Sequence, residues 1–118
     1  MQTRELTRNL SWSSAEKKIA RTAFDAALER ERAAVRHEVE SILQSSPDSA
    51  EIWRVRDYLN EKARELDGKY DYRYSVLIDV FAQLIAQGWL TVDELVGLHS
   101  EKLQLIKQAS AYWGKRDA

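Results

Sequence analysis

The residues best suited to acid–base or metal chemistry are two histidines, and neither lies in a pattern that a reaction requires. His37 and Glu40 stand three positions apart in the sequence HEVE, which could hold a metal only with ligands from elsewhere. His99 belongs to a different predicted helix, and the sequence fixes no catalytic set around either ring. The chain has no cysteine, and its four glycines are isolated rather than grouped in a phosphate-binding loop. We therefore predict no catalytic residue, no metal, no cofactor and no enzymatic activity.

The second candidate chemistry is recognition of another protein by one face of a predicted helix. Trp53 lies about 100° around that helix from the apolar Ile52, and steps of three and four residues from Trp53 lead to polar side chains. An aromatic anchor beside charged and amide groups is typical of binding hot spots. The sequence leaves open whether Trp53 packs instead against the first helix or a dimer mate. The predicted partner-binding residues, called the recognition face below, are Trp53, Arg56, Asp57, Asn60 and Arg64.

A third polar cluster is the stretch ELDGKYDYRYS, residues 65–75. It contains no acid–base pair with a defined pocket, so we interpret it as a structural junction between two helices. Gly68 is expected to supply a helix C-cap or a close packing point. Asp67 and Asp71 are expected to cap or brace the junction, and Tyr70 to turn its ring toward the core.

Helix-start signals recur three times along the chain, while helix breakers are few. One proline and four glycines occur in 118 residues. A capping box pairs a Ser, Thr or Asp cap with a Glu three residues later, and an acidic first turn also suits the helix dipole. The sequence therefore predicts an all-α fold, with capping boxes at Ser13 and Glu16, Asp48 and Glu51, and Thr91 and Glu94.

The first two predicted helices form a long hairpin. The first spans residues 14–44 and would be about 45 Å long, and Pro47 ends it. A domain of this size cannot cover so long a rod by itself, which favours a helical hairpin within a homodimer. The apolar stripe of the second helix is Ile52, Val55, Leu59, Ala63, Leu66 and Tyr70.

The remaining helices form a small C-terminal head. The third helix, residues 73–87, is apolar on most sides and is predicted to be the centre of the core, with Gly88 as its left-handed stop. A short helix from Val92 and a last helix over 100–113 complete the fold. We predict a flexible tail at 1–13, one domain at 14–113 and a C-terminal tail at 114–118.

Composition limits which kinds of partner and which location we expect for the protein. The net charge is −1, so no global field attracts nucleic acid. A small helical DNA-binding regulator stays an alternative because the N-terminal end is locally basic. Neither a signal-peptide core nor an apolar run of about 18 residues is present, which predicts a cytoplasmic protein without integral membrane association. The locally basic residues are Arg4, Arg8, Lys17, Lys18 and Arg21.

Residues 52–95 resemble the central and C-terminal part of the cyanobacterial fluorescence recovery protein family. The resemblance rests on Trp53 and Asp57, on the sequence DGKYD at 67–71 and on VFAQL at 80–84. Around this region about 60 residues align with the family without a gap, which is over half of the chain. These fragments are more specific in combination than any of them is alone.

The resemblance implies a homodimeric, all-helical regulator without a chromophore. Members of that family bind the photoactivated orange carotenoid protein, mainly through its C-terminal domain, and speed its return to the orange resting state. This relieves quenching of the phycobilisome, so the expected place of action is the cytoplasm or the periphery of thylakoid membranes. Trp53 and Asp57 match positions that the family uses in its dimer and client-binding region.

The chain departs from the family pattern at Arg56, Ala63, Asp79 and Leu105. In that pattern we expect histidine at 56, arginine at 63, an aromatic residue at 79 and lysine at 105. A homologue with the same scaffold and a different protein client is therefore the first alternative function.

Overall fold

The computed structural model describes residues 10–45 and 48–117, and within this part the chain contains helices and no strand. The all-α prediction is confirmed. The division into two tails and one domain stays a prediction, and Pro47 lies outside the described residues. The elements are α1 (Ser14–Gln44), α2 (Glu51–Lys69), α3 (Leu77–Ala86), a 3₁₀ helix (Val92–Leu95) and α4 (Ser100–Asp117).

Capping explains where α1 and the 3₁₀ helix begin. The Ser13 N–H donates to Glu16 Oε1 at 3.0 Å, and the Glu16 N–H donates to Ser13 Oγ at 3.1 Å. Thr91 and Glu94 form the same reciprocal box at the start of the 3₁₀ helix. Two of the three predicted capping boxes are confirmed, because each places both partners within hydrogen-bonding reach.

The prediction for the start of α2 is wrong. Ala50 is the N-cap residue of α2 and makes no side-chain capping bond. The carboxylate of Asp48 accepts instead from the Ala50 N–H at 3.1 Å, a local turn of the kind that aspartate favours. The Asp48 carboxylate is engaged by this turn, and no side-chain capping bond is present at the start of α2.

The core lies in the head, defined as residues 77–117, and α3 is its centre as predicted. Phe81 is fully buried among the side chains of α3, the 3₁₀ helix and α4. The first half of α1 closes this core with small side chains and Phe24. The second half of α1 and the adjoining part of α2 extend away from the head, and the molecule measures 53 × 28 × 21 Å. The largest fully buried side chains are Phe81, Leu77, Ile78, Leu84, Leu95 and Ile106.

The ends of the head helices differ in part from the predicted ones. Gly88 has φ 85°, and its N–H donates to Ile85 O while the Trp89 N–H donates to Leu84 O, which confirms the left-handed stop after α3. α3 begins at Leu77 rather than at residue 73, because residues 74–76 form a turn. α4 continues to Asp117, past the predicted end at residue 113.

A buried ion pair joins α4 to the start of α1. Lys102 Nζ lies 3.0 Å from Glu16 Oε2, and both side chains are about nine-tenths buried. The same carboxylate accepts the His99 N–H at 2.9 Å, in addition to its bond with Ser13. Burial disfavours the charge of Glu16, but the hydrogen bonds from Ser13, His99 and Lys102 outweigh it and lower its pKa to about 2. Glu16 is therefore a capping residue and the anchor of α4 on α1.

We expect Glu16→Gln to lower the free energy of unfolding by about 3 kcal/mol at pH 7, because it leaves Lys102 buried without its counter-charge. The native pKa of about 2 lies below the ordinary 4.5. The stabilisation from Glu16 is therefore complete above pH 4.5 and is lost as the pH falls toward 2. Urea denaturation across this range measures both effects.

The matched control is Glu29→Gln, which removes an exposed carboxylate from the same helix. It should change stability by less than about 0.5 kcal/mol. If Glu16→Gln shows the same stability and the same acid dependence as the wild type, the anchoring role of Glu16 is wrong.

Candidate protein-recognition surface

All five residues of the predicted recognition face are exposed along one side of α2. Trp53 is 60% exposed, so it is not buried against α1. Packing against α1 was one of the two arrangements that the sequence left open for this residue. Asn60 and Arg64 continue the same side about two and three turns beyond Trp53 along the helix. The structure thus places the predicted face on the surface of a regular helix, where its members share one direction.

The first half of this face is organised by contacts among neighbours. The Arg56 guanidinium lies 5.3 Å from the centre of the Trp53 ring, a cation–π distance. The same guanidinium donates to Asp57 Oδ1 at 2.8 and 3.0 Å. Arg56 therefore contacts both the aromatic ring and the carboxylate, so a partner meets a ring, a cation and an anion side by side.

The apolar stripe of α2 is only partly covered in the single chain, since Val55, Leu66 and Tyr70 are half-buried and the other three members are exposed. No residue of α2 is buried. Ile52 is 55% exposed and Leu59 is 41% exposed, and Leu43 at the end of α1 is half exposed. The stripe points about 100° around the helix from the recognition face. One helix therefore presents an apolar side and a polar side, and both are available to other molecules.

A shallow groove of about 360 Å³ lies between α1 and α2 next to Asp57. Its walls carry three carboxylates, those of Glu38, Asp57 and Glu61, and one cation, Arg54, which is paired with Glu51 at 2.6 Å. The groove is therefore net acidic. It suits a basic or neutral side chain of a partner better than an acidic one.

The predicted junction joins α2 to the head, but through different residues from those expected. α2 continues through Gly68 and ends at Lys69, and Tyr70 is the C-cap residue. Gly68 has open space around it and supplies neither a cap nor a close packing point. Asp67 is exposed on α2. Asp71 pairs with Arg73 of the same segment at 2.6 Å, and the hydrogen bond from Arg73 lowers the pKa of Asp71, while its bracing of the junction stays a prediction.

The tyrosines at alternate positions of residues 70–74 all turn toward α1. The Phe24 ring of α1 meets Tyr70 and Tyr72 edge-on, with centroid distances of 5.4 and 4.9 Å. Tyr74 follows at 5.6 Å from Tyr72 and at 5.6 Å from Trp12. The prediction that Tyr70 faces the core is confirmed. These rings fix the segment that leads from the hairpin to the head.

Beneath the junction lies a buried polar cluster that sequence reasoning missed. Glu31 of α1 is 5% exposed, and its carboxylate lies 2.7 Å from Lys69 Nζ and accepts the Tyr70 hydroxyl at 2.7 Å. Lys69 also donates to Gln87 Oε1 at 2.8 Å. Burial and the hydrogen bond to Glu31 raise the pKa of Tyr70, so its hydroxyl stays protonated. The sequence signal for this cluster was Glu31 itself, a carboxylate that interrupts the apolar stripe of α1.

Neither histidine lies in a catalytic or metal-binding arrangement. His37 is exposed on α1. His99 stands at the start of α4, where its Nδ1 accepts the Glu101 N–H at 3.2 Å. Across residues 10–45 and 48–117, no three His, Cys, Asp or Glu side chains are grouped so that they could hold a metal ion. Over the same residues, every helix is too short or too polar to cross a membrane.

The model of the family "Photoprotection regulator fluorescence recovery protein" matches residues 12–110, which span α1 to most of α4. The chain belongs to the fluorescence recovery protein family. The match includes α1, which lies outside the region that carried the resemblance in the sequence. The recognition face, the junction and both buried ion pairs therefore lie within the family's own domain.

Relatives agree in sequence and in fold. The chain is 37% identical over 101 residues to the fluorescence recovery protein of Synechocystis sp. PCC 6803. The aligned region covers 86% of this chain and 93% of that protein. The solved structure of the Fremyella diplosiphon fluorescence recovery protein has 46% identity and a TM-score of 0.79, covering 86% of this chain and 99% of that one. The Synechocystis structure has 36% identity, the same TM-score and the same coverage.

Proposed function

We propose that this protein is a homodimeric, non-enzymatic regulator that binds the photoactivated orange carotenoid protein and accelerates its return to the orange resting state. The observation that carries the proposal is an exposed, pre-organised face on α2 in a member of a family of photoprotection regulators. The consequence would be relief of phycobilisome quenching. The place of action would be the cytoplasm, next to the thylakoid membranes.

The homodimer is supported by the partly uncovered apolar stripe. Burial of apolar surface stabilises by about 25 cal/mol per Å², so exposed Ile52 and Leu59 represent free energy that a second chain can recover. A second copy is the natural cover, because a two-fold interface pairs the same stripe with itself. The stripe and the recognition face point in different directions, so a dimer can form while the face stays open to a client.

Recovery would be accelerated by differential binding. A regulator speeds a conformational change only if it binds the transition state, or the conformation that leads to it, more tightly than the activated form. The C-terminal domain of the orange carotenoid protein is the proposed client surface. Asp57 and Arg64 would make the directional polar contacts, and Trp53 would fill an apolar site near the border with the dimer interface.

A different protein client is the second candidate function. Three departures from the family pattern lie where a client could contact them: Arg56 and Ala63 are exposed on α2, and Asp79 is half-buried beside a groove between the end of α2 and α3. Purification of the tagged protein from its native host distinguishes this candidate function from the first one. Co-purification of another protein without the carotenoid protein supports this alternative.

We expect Leu59→Asp to weaken the dimer by at least about 30-fold, because it buries a carboxylate in an apolar interface. Sedimentation at a series of protein concentrations measures the dissociation constant. Circular dichroism follows helix content in the same samples.

Ala111→Asp is the control, since it adds the same carboxylate to an exposed position on α4. The dissociation constant of the Ala111→Asp dimer should equal that of the wild type. A wild-type protein that sediments as a monomer, or a Leu59→Asp variant that dimerises as tightly as the wild type, would rule out the stripe as the dimer interface.

We expect the wild-type protein to accelerate dark red-to-orange recovery of a purified carotenoid protein, with an effect that saturates as its ratio increases. Asp57→Leu should keep its helix content but need about tenfold more protein for half of the effect, because a directional charged contact is lost. The assay is the visible absorbance change after photoactivation.

Glu65→Leu makes a similar change on α2 outside the recognition face and should behave like the wild type. Equal half-saturation for the wild type and Asp57→Leu removes Asp57 from the site. Recovery at the unassisted rate with the folded wild-type protein would refute the proposed client.

A further inference from the structure

The first two turns of α1 carry an unusual distribution of charge. The N-terminus of a helix has a partial positive charge and favours acidic side chains. Here the one acidic residue of the first turn, Glu16, is buried and paired with Lys102. The exposed positions that follow are all cationic. We call Lys17, Lys18 and Arg21 the basic patch.

Aromatic rings hold two of these cations at fixed positions. Lys17 Nζ lies 5.3 Å from the centre of the Tyr74 ring, and the Arg21 guanidinium lies 4.4 Å from the centre of the Tyr72 ring. Such contacts place the charged groups against the ring faces, while Lys17 and Arg21 themselves stay exposed and can meet an anion. Each ring contact favours one side-chain position, which reduces the conformational entropy lost when an anion binds.

Among the described residues, the basic patch has one ion-pair partner. Arg21 lies 3.4 Å from Asp25, and both side chains are 55% exposed, so this pair is weak. Asp71 of the junction is engaged by Arg73. Counted with Asp25, the three cations give the patch a local charge of about +2 on a chain whose net charge is −1. A cluster of exposed cations with one weak partner is available to an anionic group of another molecule.

We infer that the basic patch is a second docking surface for the client, which meets an acidic area of that protein and steers its approach. The inference rests on the proposed function and assigns the patch a part in the same complex. Carboxylates suit the patch because its cations are few and separated by rings. Nucleic acid fits poorly, since the net charge of the chain is −1 and three cations can make few phosphate contacts.

The two surfaces would have different roles. The recognition face combines charges of both signs with an aromatic ring, which suits a specific contact. The basic patch has one sign of charge and is exposed, which chiefly raises the association rate and makes that rate dependent on salt. Loss of the patch should therefore slow association and leave dissociation nearly unchanged.

The test compares the wild type with Lys18→Glu and with Lys17→Gln/Lys18→Glu. An acid near the N-terminus agrees with the helix dipole, so neither variant should lose more than a small part of its stability. The control, Lys107→Glu, makes the same change of charge at an exposed position on α4. The probe is purified, photoactivated orange carotenoid protein, mixed by stopped flow in about 50 and 300 mM salt, with dark recovery read in parallel.

In the low-salt buffer we expect the association rate of Lys18→Glu to fall about three- to tenfold and that of the double variant to fall further. In the high-salt buffer all proteins should associate at similar rates, because the Debye length is then short. The control should follow the wild type.

If the wild type accelerates recovery and the variants associate like the control in both buffers, the basic patch is not a docking surface while the proposed function stands. If the wild type neither binds the carotenoid protein nor accelerates its recovery, both proposals fail. A patch-dependent affinity for duplex DNA or for anionic vesicles that exceeds the affinity for the carotenoid protein also overturns the inference.

Discussion

The structure depends on one constraint: part of the apolar stripe of α2, namely Ile52, Leu59 and Ala63, is exposed and has no cover within its own chain. α2 is 19 residues long and has no buried residue, whereas α3 is 10 residues long and most of it is buried. A regular helix in water gains most of its stability from the burial of one face. The proposed dimerisation and the proposed client recognition therefore both concern α2, which separates an apolar side from a polar side.

Two buried ion pairs stand at the ends of the small-residue part of α1, and one joins it to the head while the other joins it to the end of α2. Glu16 pairs with Lys102 and Glu31 pairs with Lys69. Buried ion pairs add little stability compared with apolar side chains, but loss of one partner is costly. Their contribution here is to fix the register of α1 against the head and the end of α2. The hairpin then projects from the head in a defined direction.

Much of the fold could be predicted because local signals agree with the tertiary structure. The capping box of Ser13 and the left-handed Gly88 mark helix ends correctly, since each depends only on neighbouring residues. The start of α2 was misplaced because Asp48 has a competing local turn. Gly68 was misread because a helix can continue through a glycine when the following residues bring tertiary contacts.

The site could be predicted in part for similar physical reasons. Helical periodicity places Trp53, Asp57 and Arg64 on one side of α2 without knowledge of any other helix. The pairing of Glu31 with Lys69 joins residues 38 positions apart, and periodicity holds no information on such contacts. The arrangement of Lys17 and Arg21 over tyrosines of the junction depends on the same long-range packing.

The most direct test of the central claim, that a protein partner docks on the polar side of α2, uses the absence of cysteine from the chain. Single cysteines at Asn60→Cys and, for comparison, Lys107→Cys are alkylated with a maleimide, with and without photoactivated orange carotenoid protein. We predict that the complex slows alkylation at position 60 by about tenfold or more, because an interface core excludes water, and leaves position 107 unchanged. Equal alkylation at position 60 in a complex that has demonstrably formed would contradict the account.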